Sequence, residues 1–88
     1  MVSEQVRIIN PTGLHARPAS VFVKAANGFK SDVAVISGDK RINAKSIVKV
    51  MSTALKQGTD IVIEASGEDE TEAVRALVDL VKSGFGEV

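Results

Sequence analysis

Turn residues interrupt this chain at short intervals, and that constrains its fold more than any other feature. Turn residues, among them Asn10-Pro11-Thr12-Gly13, Gly28, Gly38-Asp39 and Gly58, help to divide the chain into seven short segments. Short strands joined by amphipathic helices predict an α+β sandwich, an antiparallel sheet with helices on one face in the order β-α-β-β-α-β-α. Because chains of 88 residues seldom divide into two cored units, we expect a single domain over residues 1–88.

The period of the apolar residues assigns each segment to a strand or a helix. Alternating apolar residues predict strands over residues 2–8, 32–37, 40–43 and 60–66. Helical spacing predicts helices over residues 16–27 and 46–57, and a last helix that opens acidic and ends before Gly84. In the second helix the apolar stripe is expected at Ile47, Val50, Met51 and Ala54.

Composition excludes several classes of protein. The chain has no cysteine, which rules out a disulfide framework and any thiolate metal site. Its longest apolar run, Val33 to Ile36, is far shorter than the roughly 18–20 residues of a membrane span, and the N-terminus lacks the basic and apolar regions of a signal peptide. We therefore expect a soluble, cytoplasmic protein without membrane insertion.

The charges sum to zero over the whole chain, but basic and acidic residues are unevenly distributed along it. Eleven basic and eleven acidic residues, with no Tyr or Trp, argue against nucleic-acid binding. Between Arg17 and Lys56, however, eight basic residues face only Asp32 and Asp39. This uneven distribution has two interpretations that the composition leaves open. Either the charged residues only solvate helix faces, or the basic ones attract an acidic partner.

The single histidine, His15, lies where a turn-rich loop meets the first predicted helix. A lone histidine in a small protein is more often a surface or capping residue than a functional one. Here, however, the next amides, those of Ala16 and Arg17, have no intrahelical acceptor and form a potential anion site. The Arg17 guanidinium is suited to phosphate oxygens, and Pro18 is compatible with the first helical turn, where no amide hydrogen is needed.

These residue types favour transient phosphorylation of His15. The partial positive charge at a helix N-terminus disfavours imidazolium, which leaves a neutral nucleophile beside an anion site. A few N–H groups and one guanidinium would not trap a phosphoryl group irreversibly, so a carrier is favoured over a hydrolase. A single histidine supports no triad or metal cluster, and we expect neither a metal nor a cofactor.

The run from Gly13 to Ser20, Gly-Leu-His-Ala-Arg-Pro-Ala-Ser, resembles the active-site signature of the HPr family. This family comprises the histidine phosphocarriers of the bacterial sugar phosphotransferase system. The resemblance covers essentially all 88 residues and implies four antiparallel strands covered on one side by three helices. It further implies that His15 accepts phosphate at Nδ1 from phosphorylated enzyme I and passes it to the IIA unit of a sugar permease. Arg17 would steady the phosphoryl group, and the chain would be a carrier rather than an enzyme on its own.

The resemblance also implies a docking face for enzyme I and IIA. We define the predicted docking face by Ser20, Lys24, Lys45, Ile47, Val48, Lys49 and Met51. Because Ile47 and Val48 are adjacent on a helix, both cannot point into the core, and one is expected to be exposed. Fast exchange between partners suits a small interface, and we expect a monomer.

Ser46 has two interpretations. It is a favoured N-cap for the second helix. In related proteins of low-GC Gram-positive bacteria, the serine of a similar Lys-Ser-Ile-Val motif is phosphorylated by an ATP-dependent kinase. If Ser46 is regulated in the same way, the resemblance implies a serine kinase, a phosphatase and a transcriptional regulator as further partners. Lys49 stands where regulated members often have Gly, and Thr53-Ala54 where an aliphatic residue and Gly are usual. Both interpretations remain open.

Two alternatives compete with the sugar-branch carrier. Nitrogen-branch paralogues share the fold, and the sequence does not distinguish them. A non-catalytic regulatory α+β module is the other alternative. Regulatory-only homologues replace the histidine, so the presence of His15 argues against them.

Overall fold

The computed structural model describes residues 1–87 and has the predicted order of elements. The strands are β1 (Val2–Arg7), β2 (Asp32–Ser37), β3 (Lys40–Asn43) and β4 (Asp60–Ser66). The helices are α1 (Ala16–Asn27), α2 (Ile47–Ser52) and α3 (Glu70–Lys82), followed by a 3₁₀ turn over Gly84–Gly86.

The strands form one antiparallel sheet in the order β1-β4-β2-β3. This sheet and its three helices confirm the predicted α+β fold. The register places Val6 opposite Ile61 and Val35 opposite both Ile63 and Ile42. Because side chains alternate across a strand, these residues share the buried face. The two central strands, β4 and β2, are thereby fixed by contacts on both of their edges.

A single apolar cluster joins the sheet to the helices. Phe22 of α1, Leu77 of α3 and Val35 of β2 are all 0% exposed and belong to it. Each such side chain contributes roughly 1.5–3 kcal/mol by leaving water. The spacing of Ala19, Phe22, Val23 and Ala26 thus marks the buried face of α1, as its periodicity predicts.

Helix α2 is shorter than predicted. The apolar spacing predicted a helix over residues 46–57, but α2 ends at Ser52. The hydroxyls of Ser52 and Thr53 donate to the Lys49 carbonyl at 3.1 and 2.8 Å, which offers the last turn an alternative to helical bonds. Ala54 then adopts the left-handed conformation (φ 55°), so Ala54 is exposed and Leu55 is buried in its place.

Candidate functional site

His15 is the N-cap of α1 and is exposed. Its backbone is extended (φ −142°, ψ 155°), and its side chain makes no capping hydrogen bond. Within residues 1–87 the imidazole takes part in no hydrogen bond of any kind. In the first turn the amides of Ala16 and Arg17 lack intrahelical acceptors, and Pro18 has no amide hydrogen. The structure therefore places a free imidazole at an open helix end.

The backbone is strained beside this imidazole. Ala16 has φ 53°, a left-handed conformation that costs an L-residue roughly 1–2 kcal/mol. Such strain persists only where the surrounding structure determines the conformation, and it is common at functional sites. Ala16 lies between His15 and Arg17, so the strained residue is within the predicted anion site.

The loop before His15, residues 8–14, is held by the segment 55–59. Ile8 donates its amide to the Thr59 carbonyl at 2.9 Å and accepts from the Gly58 amide at 2.7 Å. The Leu14 amide donates to the Leu55 carbonyl at 2.8 Å. Ile8 and Leu14 are both 0% exposed, so buried side chains anchor the two ends of the loop. His15 thus follows a loop that is fixed at both ends.

Glu87 also holds this loop, through a contact that no local pattern in the sequence predicts. Its carboxylate accepts from the Asn10 Nδ2 at 3.0 Å, from the Thr12 amide at 3.2 Å and from the Thr12 hydroxyl at 2.8 Å. The hydrogen bonds from Asn10 and Thr12, with a smaller contribution from the charge of Arg17, lower the pKa of Glu87 below its usual range. Asn10 continues the alternation of Val6 and Ile8, which is the one sequence signal that it is buried.

Arg17 is exposed and has no carboxylate within ion-pair distance among residues 1–87. Its guanidinium is therefore available to an anion at the helix end.

Within residues 1–87, no three His, Cys, Asp or Glu residues come together as metal ligands. No helix in this range is long enough and apolar enough to cross a membrane.

The predicted docking face divides into exposed and partly buried residues. Val48 is 71% exposed, whereas Val50 is fully buried and Ile47 and Met51 are half-buried. The expectation that one of Ile47 and Val48 is exposed is thus confirmed. Ser20, Lys24 and Lys49 are exposed.

Lys45 differs from the other lysines of that face. It is half-buried, and its ammonium donates to the Phe29 carbonyl at 2.8 Å. In addition, the Asn27 side chain donates to the Lys45 carbonyl at 3.1 Å. Lys45 therefore links the end of α1 to the segment before α2.

Ser46 is the N-cap of α2, where its hydroxyl accepts from the Lys49 amide at 3.3 Å. It is half-buried. The capping interpretation of Ser46 is confirmed by this bond.

The family model that describes the phosphorylation site of the phosphotransferase-system component HPr matches residues 2–83. The chain belongs to the HPr family. The resemblance of residues 13–20 to this family is thereby confirmed. Membership of the family implies, in general terms, partners from the phosphotransferase system.

HPr relatives match nearly the whole chain. The phosphocarrier protein HPr of Neisseria meningitidis serogroup A is 47% identical over 87 residues, which are 99% of this chain and 98% of that protein. The HPr-like protein Crh of Bacillus subtilis is 46% identical over 82 residues, 93% and 96% of the two chains.

Solved HPr structures have the same fold. The crystal structure of HPr-C-His from Thermoanaerobacter tengcongensis superposes with a TM-score of 0.97 at 48% identity, covering 100% of this chain and 99% of that one. The HPr dimer of the same organism superposes with a TM-score of 0.79 at 48% identity and covers 99% and 100%. HPr is a phosphocarrier rather than an enzyme in the usual sense, and this chain shares that family identity.

Proposed function

We propose that the protein carries a phosphoryl group on His15, accepting it from phosphorylated enzyme I and passing it to the IIA unit of a sugar permease. The observation that carries this proposal is the free, exposed imidazole of His15 at the open N-terminus of α1. The adjacent Arg17 guanidinium, which has no ion-pair partner among residues 1–87, supplies a positive charge at the same place.

The transfer is an exchange of one bond to phosphorus for another. In the neutral imidazole with its proton on Nε2, the Nδ1 lone pair attacks phosphorus; the N–P bond forms as the bond to the donor breaks. The Ala16 and Arg17 amides and the Arg17 guanidinium then donate hydrogen bonds to the phosphoryl oxygens. Because this anion site is small and open, the group can leave to the next acceptor. No cofactor takes part in this exchange.

The docking face would bring each partner to His15. Val48 offers an exposed apolar contact, and Lys24 and Lys49 offer charges that favour encounter with acidic partner surfaces. Ser20, Ile47 and Met51 complete this surface, and Lys45 supports it through Phe29. A small interface of this kind permits fast dissociation, which a carrier requires.

Phosphotransfer from enzyme I tests the proposal. With phosphoenolpyruvate as donor, we expect an acid-labile, base-stable phosphate on the wild-type chain and none on His15→Ala. The Ser46→Ala variant is the matched control, because it removes a different phosphorylatable side chain and should be labelled normally. Circular dichroism checks that each variant is folded. Equal labelling of a folded His15→Ala variant would overturn the proposal.

Phosphorylation of Ser46 by an ATP-dependent kinase is a second proposal, favoured by the position of this half-buried serine at the start of α2, beside Ile47 and Val48. A phosphate there would place negative charge on the docking face and weaken transfer from enzyme I. A serine phosphatase and a transcriptional regulator would be the further partners. Incubation of wild type and Ser46→Ala with ATP and a cognate kinase tests it. Labelling of Ser46→Ala equal to that of wild type would contradict the assignment.

We further propose that the protein is a cytoplasmic monomer of the sugar branch. The alternatives are a nitrogen-branch paralogue and a regulatory module such as the Crh-type relatives suggest. Comparing transfer rates from enzyme I of the two branches separates the first alternative. Failure of both donors to phosphorylate the chain would favour the second. Sedimentation equilibrium tests the monomer, since the Thermoanaerobacter tengcongensis HPr has been crystallised as a dimer.

A further inference from the structure

Residues 84–87, which we call the strap, follow α3 in an unusual backbone conformation. Gly84, Phe85 and Gly86 have consecutive positive φ angles of 70°, 54° and 78°. A bulky residue such as Phe85 rarely adopts this conformation. Its side chain is only 9% exposed and belongs to the apolar core, and its amide donates to the Ser83 hydroxyl at 3.3 Å. The core contact therefore fixes the strap despite its strain.

The strap delivers the Glu87 carboxylate to the loop before His15. Glu87 Oε1 accepts from the Asn10 side chain and the Thr12 amide, and Oε2 accepts from the Thr12 hydroxyl. Asn10 in turn donates to the Gly13 carbonyl at 2.9 Å. One carboxylate thus fixes both sides of the turn that leads through Leu14 to His15.

We propose that Glu87 is a positioning residue for phosphoryl transfer, which acts through Asn10 and Thr12 to set the orientation of the His15 imidazole and the Ala16 amide. This inference rests on the proposed phosphorylation of His15. Glu87 itself does not contact the reacting atoms in this role.

Two observations favour a functional role over a merely structural one. The loop is already joined to the segment 55–59 by backbone hydrogen bonds at both ends, so Glu87 adds a constraint only to its middle. Asn10 is fully buried, yet its Oδ1 has no donor among residues 1–87. An unpaired buried acceptor reduces stability and needs an explanation, and a role for Asn10 in holding the turn before His15 would supply one.

The arrangement also keeps Arg17 available. Both carboxylate oxygens of Glu87 accept hydrogen bonds from the loop, and Arg17, whose charge acts on Glu87 from a distance, forms no ion pair within residues 1–87. Glu87 can therefore hold the loop without withdrawing the guanidinium from a phosphoryl group.

The test compares Glu87→Ala and Glu87→Gln in the enzyme I assay. In Glu87→Ala we expect kcat to fall about 10- to 100-fold, because small errors in geometry cost rates of this order, with KM unchanged because the docking face is intact. Gln retains an amide oxygen that can accept from Asn10 and Thr12, so Glu87→Gln should recover most of kcat. Glu68→Ala, which removes an exposed carboxylate, is the matched control and should behave as wild type.

The amide resonances of Thr12 and Asn10 in ¹⁵N-edited NMR spectra report whether the loop contact is broken. Unchanged kcat in a folded Glu87→Ala variant whose Thr12 resonance has shifted would overturn the inference. So would a change in KM alone, since that would indicate a partner contact. Equal labelling of His15→Ala would instead contradict the proposed function, so the two failures are distinguishable.

Discussion

Gly13 lies directly against the carbonyl of Leu55: a Cβ atom at Gly13 would be 2.4 Å from that oxygen. Gly13 also has a positive φ of 72°. The Gly13→Ala substitution therefore combines a backbone clash with a strained conformation, and we expect it to lower the free energy of unfolding by about 2–4 kcal/mol. Urea unfolding measures this. Gly38→Ala is the control, because it has a similar φ of 62° but no atom within 4 Å; an equal loss there would assign the effect to φ alone.

Ala54 ends α2 in the left-handed conformation that favours glycine. Ala54 has φ 55°. Ala54→Gly should raise the free energy of unfolding by about 0.5–1 kcal/mol, because the backbone strain that it relieves exceeds the additional conformational entropy that glycine loses on folding. Ala76→Gly in the exposed face of α3 is the control and should lower it by about 1 kcal/mol. A destabilised Ala54→Gly variant would contradict this interpretation of the turn.

Asp69 connects the start of α3 to the loop after α1. Its carboxylate accepts from the Ser31 hydroxyl at 2.6 Å and from the Ser31 and Lys30 amides, each at 2.9 Å. These bonds, that of the Ser31 hydroxyl foremost, lower the pKa of Asp69 to about 2.

Stability should therefore depend on the ionisation of Asp69. Because the pKa is lower in the folded state than in the unfolded state, the stabilisation is present at neutral pH and is lost as pH falls from about 5 to about 2. Asp69→Asn should be less stable than wild type at pH 7 and should show a smaller loss over that range. Urea unfolding across the range measures both. Glu68→Gln, an exposed neighbour, should retain the wild-type profile; a parallel profile in Asp69→Asn would refute the assignment.

Val48 is 71% exposed on α2. Val48→Asp should leave the free energy of unfolding within about 0.5 kcal/mol, because surface substitutions rarely change it more. We expect KM for transfer from enzyme I to rise about tenfold, which corresponds to roughly 1.4 kcal/mol, since the change removes an apolar contact and adds a charge unsuited to an acidic partner. Ala76→Asp on α3 is the control. An unchanged KM in Val48→Asp would show that this residue lies outside the interface.

Local periodicity was sufficient for most of the fold. The bounds of β2, β3, β4 and α1 agree with the spacing of apolar residues, since each of these elements presents one face to the core. The end of α2 does not agree with the apolar spacing, because the hydroxyls of Ser52 and Thr53 donate to the Lys49 carbonyl and Ala54 adopts a left-handed conformation. Periodicity contains no information about that competition.

The candidate site shows the same limit. His15, Ala16 and Arg17 are adjacent in sequence, so their common position at a helix end could be inferred from a short motif. Glu87 could not, because its bond to Asn10 joins residues 77 positions apart and no local pattern marks either partner as a contact of the other. Only the alternation of Val6, Ile8 and Asn10 indicated that Asn10 faces inward.

The pairing of β1 with β4 has a consequence for synthesis of the protein. Strand β1 is translated before the other three strands but has no neighbouring strand until β4 has been translated. The contacts of the His15 loop with Thr59, Leu55 and Glu87 likewise form only when those later residues are available. A nascent or prematurely terminated chain that lacks these residues would thus have its histidine on an unformed turn, and competence for transfer would arise only after Glu87 has been translated.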